Sequence, residues 1–178
     1  MIRFAFAGIA MLALAGAAAA EGDNGPALVD LFAKTCALRP ALPSEIERIA
    51  SELGFVSRGS AITADMESEP RIDILYSARM TQRGENVGLT AYFDGPVDGP
   101  TVTCSLSVAG VSSEALPGLI ETSLNARDRT EKPAVDDNRL LLSWRVGGAE
   151  DDDTLEISAR RDSSRRASIS LMYHGRKR

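Results

Sequence analysis

Apolar side chains recur along this chain with two different periods. Between residues 26 and 55 they fall three and four apart: Leu28, Leu31, Phe32 and Cys36, then Ile46, Ile49, Ala50 and Leu53. That spacing places each set on one face of a helix. Asn24-Gly25-Pro26 opens the first helix, predicted over about residues 26–38, and Pro40 and Pro43 end it. Ser44-Glu45-Ile46-Glu47 has the form of a capping box, with Ser44 at the N-cap and Glu47 at N3, and Gly54 is the stop that follows. Residues 56–70 are polar and acidic and are expected to form a loop, with room for a short strand.

From residue 72 the period changes to two. Ile72, Ile74, Tyr76 and Ala78 alternate with polar neighbours, as do Val87, Leu89, Ala91 and Phe93, and then Val102, Cys104, Leu106 and Val108. Each set predicts a half-buried strand. The stretch 94–100 holds two Asp-Gly-Pro turns and joins the second and third strands in a hairpin. A helix is expected over about 113–125, with Leu116, Leu119, Ile120 and Leu124 on one face and Pro117 in its first turn. A charged loop over 126–138 precedes three more alternating strands. Their inward sets are Leu140, Leu142, Trp144 and Val146, then Leu155, Ile157 and Ala159, then Ala167, Ile169, Leu171 and Tyr173. Pairing Arg145 with Glu156 and Trp144 with Ile157 satisfies both faces of the first of these hairpins. The expected order is α-α-β-β-β-α-β-β-β, an α+β fold. In it the helices form one layer on one face of a mostly antiparallel sheet, and the two halves of the chain share an element order.

Composition adds a third region. Seventeen of the first 20 residues are apolar and one, Arg3, is charged. The short basic start, the apolar run Phe4–Leu14 and the small residues Ala18-Ala19-Ala20 form a signal peptide, with cleavage expected before Glu21. Residues 21–178 then form a single globular domain, periplasmic or secreted. No later apolar run is long enough to span a membrane. The net charge of −5 argues against nucleic-acid binding.

Export changes the meaning of the two cysteines. Cys36 lies on the apolar stripe of the first helix and Cys104 on the inward set of a strand, so both face the core. In an oxidising compartment they are expected to bond. Closing that loop contributes about 4 kcal/mol in a chain-entropy account. With no C-x-x-C pair and a single histidine, neither redox catalysis nor a Cys/His zinc site is indicated.

The remaining chemistry is thin. Glu150-Asp151-Asp152-Asp153 lacks the spacing of a calcium loop and is expected to be a solvated turn. Residues 156–178 hold seven Arg or Lys against two acids. Within them Arg160, Arg161, Arg165 and Arg166 flank a hairpin tip that is a candidate anion site. Arg176-Lys177-Arg178 is expected to emerge beside the acidic 150–153 loop. His174, near the end of the last strand, lacks a nucleophile motif to work with. No catalytic residues, metal ligands or cofactor motif are assigned. The outward set is rich in hydroxyls (Thr101, Thr103, Ser105, Ser107, Ser143, Ser158, Ser168, Ser170), with Tyr92 as its only aromatic. Leu75, Leu141 and Met172 also point outward, and clustered they would form a binding patch.

One resemblance bears on this. Phe32 and Cys36 on one helix, Pro43, a short amphipathic helix ending at Gly54-Phe55, and a Thr103-Cys104-Ser105 strand followed by a helix resemble uncharacterised exported bacterial proteins with two cysteines, over residues 28–124. The resemblance implies a secreted helix-plus-sheet domain with a disulfide and no assigned activity. The α-β-β-β order also resembles chaperone-like and inhibitor folds of the bacterial envelope. The expectation is a non-enzymatic binding module for a protein or envelope component. Two alternatives stand beside it. One is an anion-binding module using the basic hairpin. The other is a carboxylate enzyme such as a glycosidase, which needs two acids about 5–9.5 Å apart in one cleft. Its candidates are Asp65, Glu67, Glu69, Asp73 and Asp94.

Overall fold

The computed structural model describes residues 23–62, 71–82, 84–96, 98–133, 138–147, 153–160 and 166–175. Helix α1 (Gly25–Lys34) is followed by a 3-10 turn (Cys36–Leu38) and helix α2 (Pro43–Glu52). Four strands come next, β1 (Val56–Ile62), β2 (Arg71–Gln82), β3 (Glu85–Pro96) and β4 (Thr101–Val108). Helix α3 (Leu116–Ser123) leads into β5 (Arg127–Glu131), β6 (Arg139–Arg145), β7 (Thr154–Arg160) and β8 (Ala167–His174). All eight strands form one antiparallel sheet in the order β1-β2-β3-β4-β8-β7-β6-β5. The chain is therefore α+β, and the proposed signal peptide lies outside the described residues.

The order differs from expectation by two strands: the 56–70 loop, with its room for a short strand, supplies β1, and the charged loop supplies β5. Both lie at the edges of the sheet, with one neighbour each. Every residue of β5 is exposed, and so are Val56–Ser60 of β1. A strand that buries neither face carries no alternation for a hydrophobic pattern to reveal. Each is interrupted by a register shift, between Ser57 and Gly59 in β1 and between Arg127 and Thr130 in β5. Bulges of this kind, with the charges of β5, blunt an open edge against further pairing. The likeness of the halves thus becomes two four-stranded meanders that meet at β4 and β8.

Local chemistry also moves two helix starts. Leu42 is the N-cap of α2, in extended conformation as a residue before proline prefers, and Pro43 takes the first helical position. Glu45, not Glu47, is then at N3, and its carboxylate accepts hydrogen bonds from the Ala41 and Leu42 N–H groups at 2.7 and 3.3 Å. Ser44 is already inside the helix. α3 begins at Leu116 rather than near 113, behind a turn over 113–115.

The inward positions of the six interior strands are buried as the alternation predicted, apart from Ile72, Ile74, Leu140 and Val146, which are half-buried. They share one core with Leu28 and Phe32 of α1, Ile46 and Ala50 of α2, and Leu116 and Ile120 of α3. Phe32, Phe93 and Trp144 are each below 2% exposed, and such burial contributes roughly 1.5–3 kcal/mol per side chain. The β6–β7 register is two residues away from the expected one: Trp144 faces Leu155, and Arg145 faces Thr154. Glu156 lies opposite Ser143 and forms its ion pair with Lys132, just past β5. A slip of two leaves every side chain on its own face, so hydrophobic alternation could not tell the two registers apart.

Cys36 and Cys104 are bonded, with their Cα atoms 5.4 Å apart and both side chains fully buried. The bond fastens the 3-10 turn to the middle of the sheet. Replacing both cysteines with Ala should lower unfolding free energy by about 2–5 kcal/mol in urea titration. An unchanged midpoint would show that core packing alone holds the helical segment in place.

Candidate functional site

The outward positions of the sheet line up in rows across the strands. In one, Leu75 pairs with Tyr92, Tyr92 with Thr103 and Thr103 with Met172. Leu75, Tyr92 and Met172 are 45%, 40% and 47% exposed, so three large apolar side chains share a strip. Three inter-strand steps give it a length of roughly 14 Å. Leu141 does not join it: it is half-buried and pairs with Ser158 on a different row. The neighbouring row carries hydroxyls almost throughout. It runs Ser77, Thr90, Ser105, Ser170, Glu156, Ser143 and Thr130. The Ser105 and Ser170 hydroxyls are hydrogen-bonded at 2.7 Å.

On the other side of the strip Asp73 faces Asp94, Asp94 faces Thr101 and Thr101 faces His174. Like charges placed directly opposite are mutually destabilising. The Tyr92 hydroxyl donates to Asp73, and that bond, with the nearby carboxylates, raises its pKa. Asp94 is exposed and Asp73 half-buried on this outer face. The other carboxylates considered with them, Asp65, Glu67 and Glu69, lie outside the described residues. His174 is exposed, its Nδ1 3.4 Å from Thr101 Oγ1.

Of the basic hairpin tip, only the Arg166 side chain is described. It is exposed and donates to the Asn86 carbonyl oxygen. Arg161, Arg165 and the Arg160 side chain lie outside the described residues, as does Arg176-Lys177-Arg178. Gly175, just before that tail, donates its N–H to the Pro100 carbonyl at 2.7 Å.

The acidic loop departs from expectation at its last residue. Residues 148–152 lie outside the described residues, but Asp153 is not a solvated turn residue: it is 6% exposed and paired with Arg39. Asp153 has the same parity as Leu155, Ile157 and Ala159, so the alternation of its own strand aims it at the core. Arg39 adopts a left-handed conformation, φ 53°, directly after the disulfide-bonded turn. Its guanidinium also donates to the Val146 carbonyl at 3.3 Å. Beside this pair the Tyr173 hydroxyl donates to the Pro40 carbonyl at 2.7 Å. An inward-facing tyrosine needs such a partner for its hydroxyl, which is a signal its place in the alternation carried. Burial first, then the Glu45 and Asp153 carboxylates, raise the Tyr173 pKa far above the ordinary tyrosine value, with Arg39 opposing.

A second feature was not legible as a site. Between the start of α3 and strands β5 and β6 lies an open cleft of about 470 Å³. Pro117, Leu140 and Leu142 supply its apolar wall. Ser113, Glu114, Arg129 and Glu131 supply polar groups. Glu121 stands behind it, accepting from Trp144 Nε1 at 3.1 Å and from Arg129 Nη1 at 3.2 Å.

Among the described residues no group of three or more His, Cys, Asp or Glu could hold a metal ion. Among them no helix is long and apolar enough to cross a membrane. Compared with protein-family models, curated proteins and solved structures, the chain matches none.

Tyr173 has a definite pH signature. An unfolded tyrosine titrates near pH 10, whereas the folded one keeps its proton well above that. Its stabilising contribution is therefore complete below about pH 10 and is lost as pH rises, by up to about 1.4 kcal/mol per unit. Tyr173→Phe should cost about 1 kcal/mol at pH 7 through the lost hydrogen bond. The gap to wild type should then close between pH 10 and 12 in denaturant titrations. A gap independent of pH would mean that Tyr173 ionises as freely in the fold as outside it.

Proposed function

We propose that this chain is an exported, non-enzymatic binding module that holds a protein partner of the bacterial envelope against the outer face of its sheet. In this reading residues 1–20 are removed on export, and residues 21–178 work in the periplasm or outside the cell. The helices form one layer on the inner face and leave the outer one available. The observation that carries the reading is the exposed strip of Leu75, Tyr92 and Met172 across β2, β3 and β8. Aromatic and methionine side chains are enriched in protein interfaces, and an apolar centre within a polar rim is their usual anatomy. Here the rim is the hydroxyl row on one side and the Asp73–Asp94 row on the other. Short Ser and Thr side chains keep the surrounding face flat. A rigid sheet presented this way suits an inhibitor or a chaperone, which must hold a partner without reshaping itself.

The strip can be removed without touching the core. Leu75→Ser, Tyr92→Ser and Met172→Ser together should leave the melting temperature within a few degrees of wild type, since exposed positions change stability by only about 0.5 kcal/mol each. Wild-type protein immobilised and exposed to a periplasmic extract should retain a defined partner, and the triple variant should lose most of it. Equal retention by both proteins would remove this face from consideration.

A further inference from the structure

We infer that the cleft beside α3 binds a small zwitterion with an apolar body, of the class of an apolar amino acid or dipeptide. Three features of the cleft lead there. The first is a hydroxyl on the cleft wall. Ser113 is 8% exposed, lines the cleft, and has no hydrogen-bond partner among the described residues. Its oxygen still reaches solvent, so a ligand in the cleft would exchange a water for a direct hydrogen bond there.

The second is a held cation. Arg129 sits at the rim with its guanidinium 3.2 Å from Glu121, and the buried Trp144 indole holds that carboxylate from behind at 3.1 Å. A guanidinium has five donors, and this ion pair engages one of its nitrogens, so its remaining donors can receive a carboxylate. The third is a carboxylate without a partner among the described residues, Glu114, on the same cleft. Glu131 adds a second negative group beside it.

Between these charges lie Leu142, 5% exposed, with Leu140 and Pro117. The wall suits an aliphatic body, while the rim offers an anion to an ammonium and a cation to a carboxylate. A simple amine would engage Glu114 but not the remaining donors of Arg129, and a simple fatty acid would do the reverse. Both charges on one small molecule satisfy the site. The volume of 470 Å³ falls within the range of about 300–1,000 Å³ usual for small-ligand sites. The cleft involves none of Leu75, Tyr92 or Met172, so this site is independent of the sheet-face reading.

The test is titration calorimetry on the exported chain with leucyl-leucine, its N-acetyl form and its C-terminal amide. The unblocked dipeptide should bind, and each blocked form should bind at least about tenfold more weakly. Arg129→Gln should erase the difference between acid and amide, and Glu114→Gln the difference between amine and N-acetyl. Both residues are exposed, and matching melting curves will establish that the variants fold. The variant lacking the Leu75, Tyr92 and Met172 side chains should bind the dipeptide as wild type does, which separates failure of one site from failure of the other. No heat at about 10 mM dipeptide, or equal binding of all three forms, would overturn the inference.

Discussion

β4 and β8 come from opposite halves of the chain and pair along eight residues, from Thr101 with His174 to Val108 with Ala167. Through that seam two four-stranded meanders become one sheet with one buried face. The inward residues there, Val102, Cys104, Leu106, Ile169 and Leu171, are at most 1% exposed. α1 packs on β4 and α2 on β1, β2 and β3, while the 3-10 turn touches both β4 and β8. Burial of the face is the favourable contribution that offsets the chain entropy of closing so many non-local pairs.

Three further contacts reinforce the sheet from one segment of chain. The disulfide holds the 3-10 turn at Cys104, in the middle of β4. Three residues after Cys36, Arg39 reaches the β6–β7 connection through Asp153 and the Val146 carbonyl, and Pro40 receives the Tyr173 hydroxyl of β8. One short stretch, residues 36–40, therefore touches β4, β8 and the β6–β7 hairpin. Stability in this molecule is not concentrated in apolar contact alone. A covalent bond, a half-buried ion pair and a buried tyrosine hydroxyl converge on one turn.

The consequence for function is a division of surfaces. Anchoring chemistry lies toward the core, and the outer sheet face carries short hydroxyls with one apolar strip. The cleft arises for a different reason. Among the described residues β5 pairs only with β6, and α3 stands beside it, so a gap opens where the sheet ends and the helix begins. Groups far apart in sequence, Ser113 and Glu114, Arg129 and Glu131, Leu140 and Leu142, meet there only because the edge strand brings them together.

Most of the interior was legible beforehand because period two records which side chains a strand buries. It identified six strands, the inward set of each, the two core-facing cysteines, and in principle the inward aim of Asp153. It gave no alternation for β1 and β5, whose described side chains are all exposed. It was equally silent on a two-residue slip in β6–β7, which changes neighbours without changing faces. For the same reason the outward direction of Leu75, Tyr92 and Met172 could be read, but not their common row, which depends on the registers of β2, β3, β4 and β8 taken together. The sequence by itself determined which positions face in, the two bonded cysteines among them, because facing follows from local spacing. Only the tertiary structure decided the strand order, the apolar strip, the Arg39–Asp153 pair and the cleft. Each of those depends on which distant segment lies alongside, and a local pattern does not carry that choice.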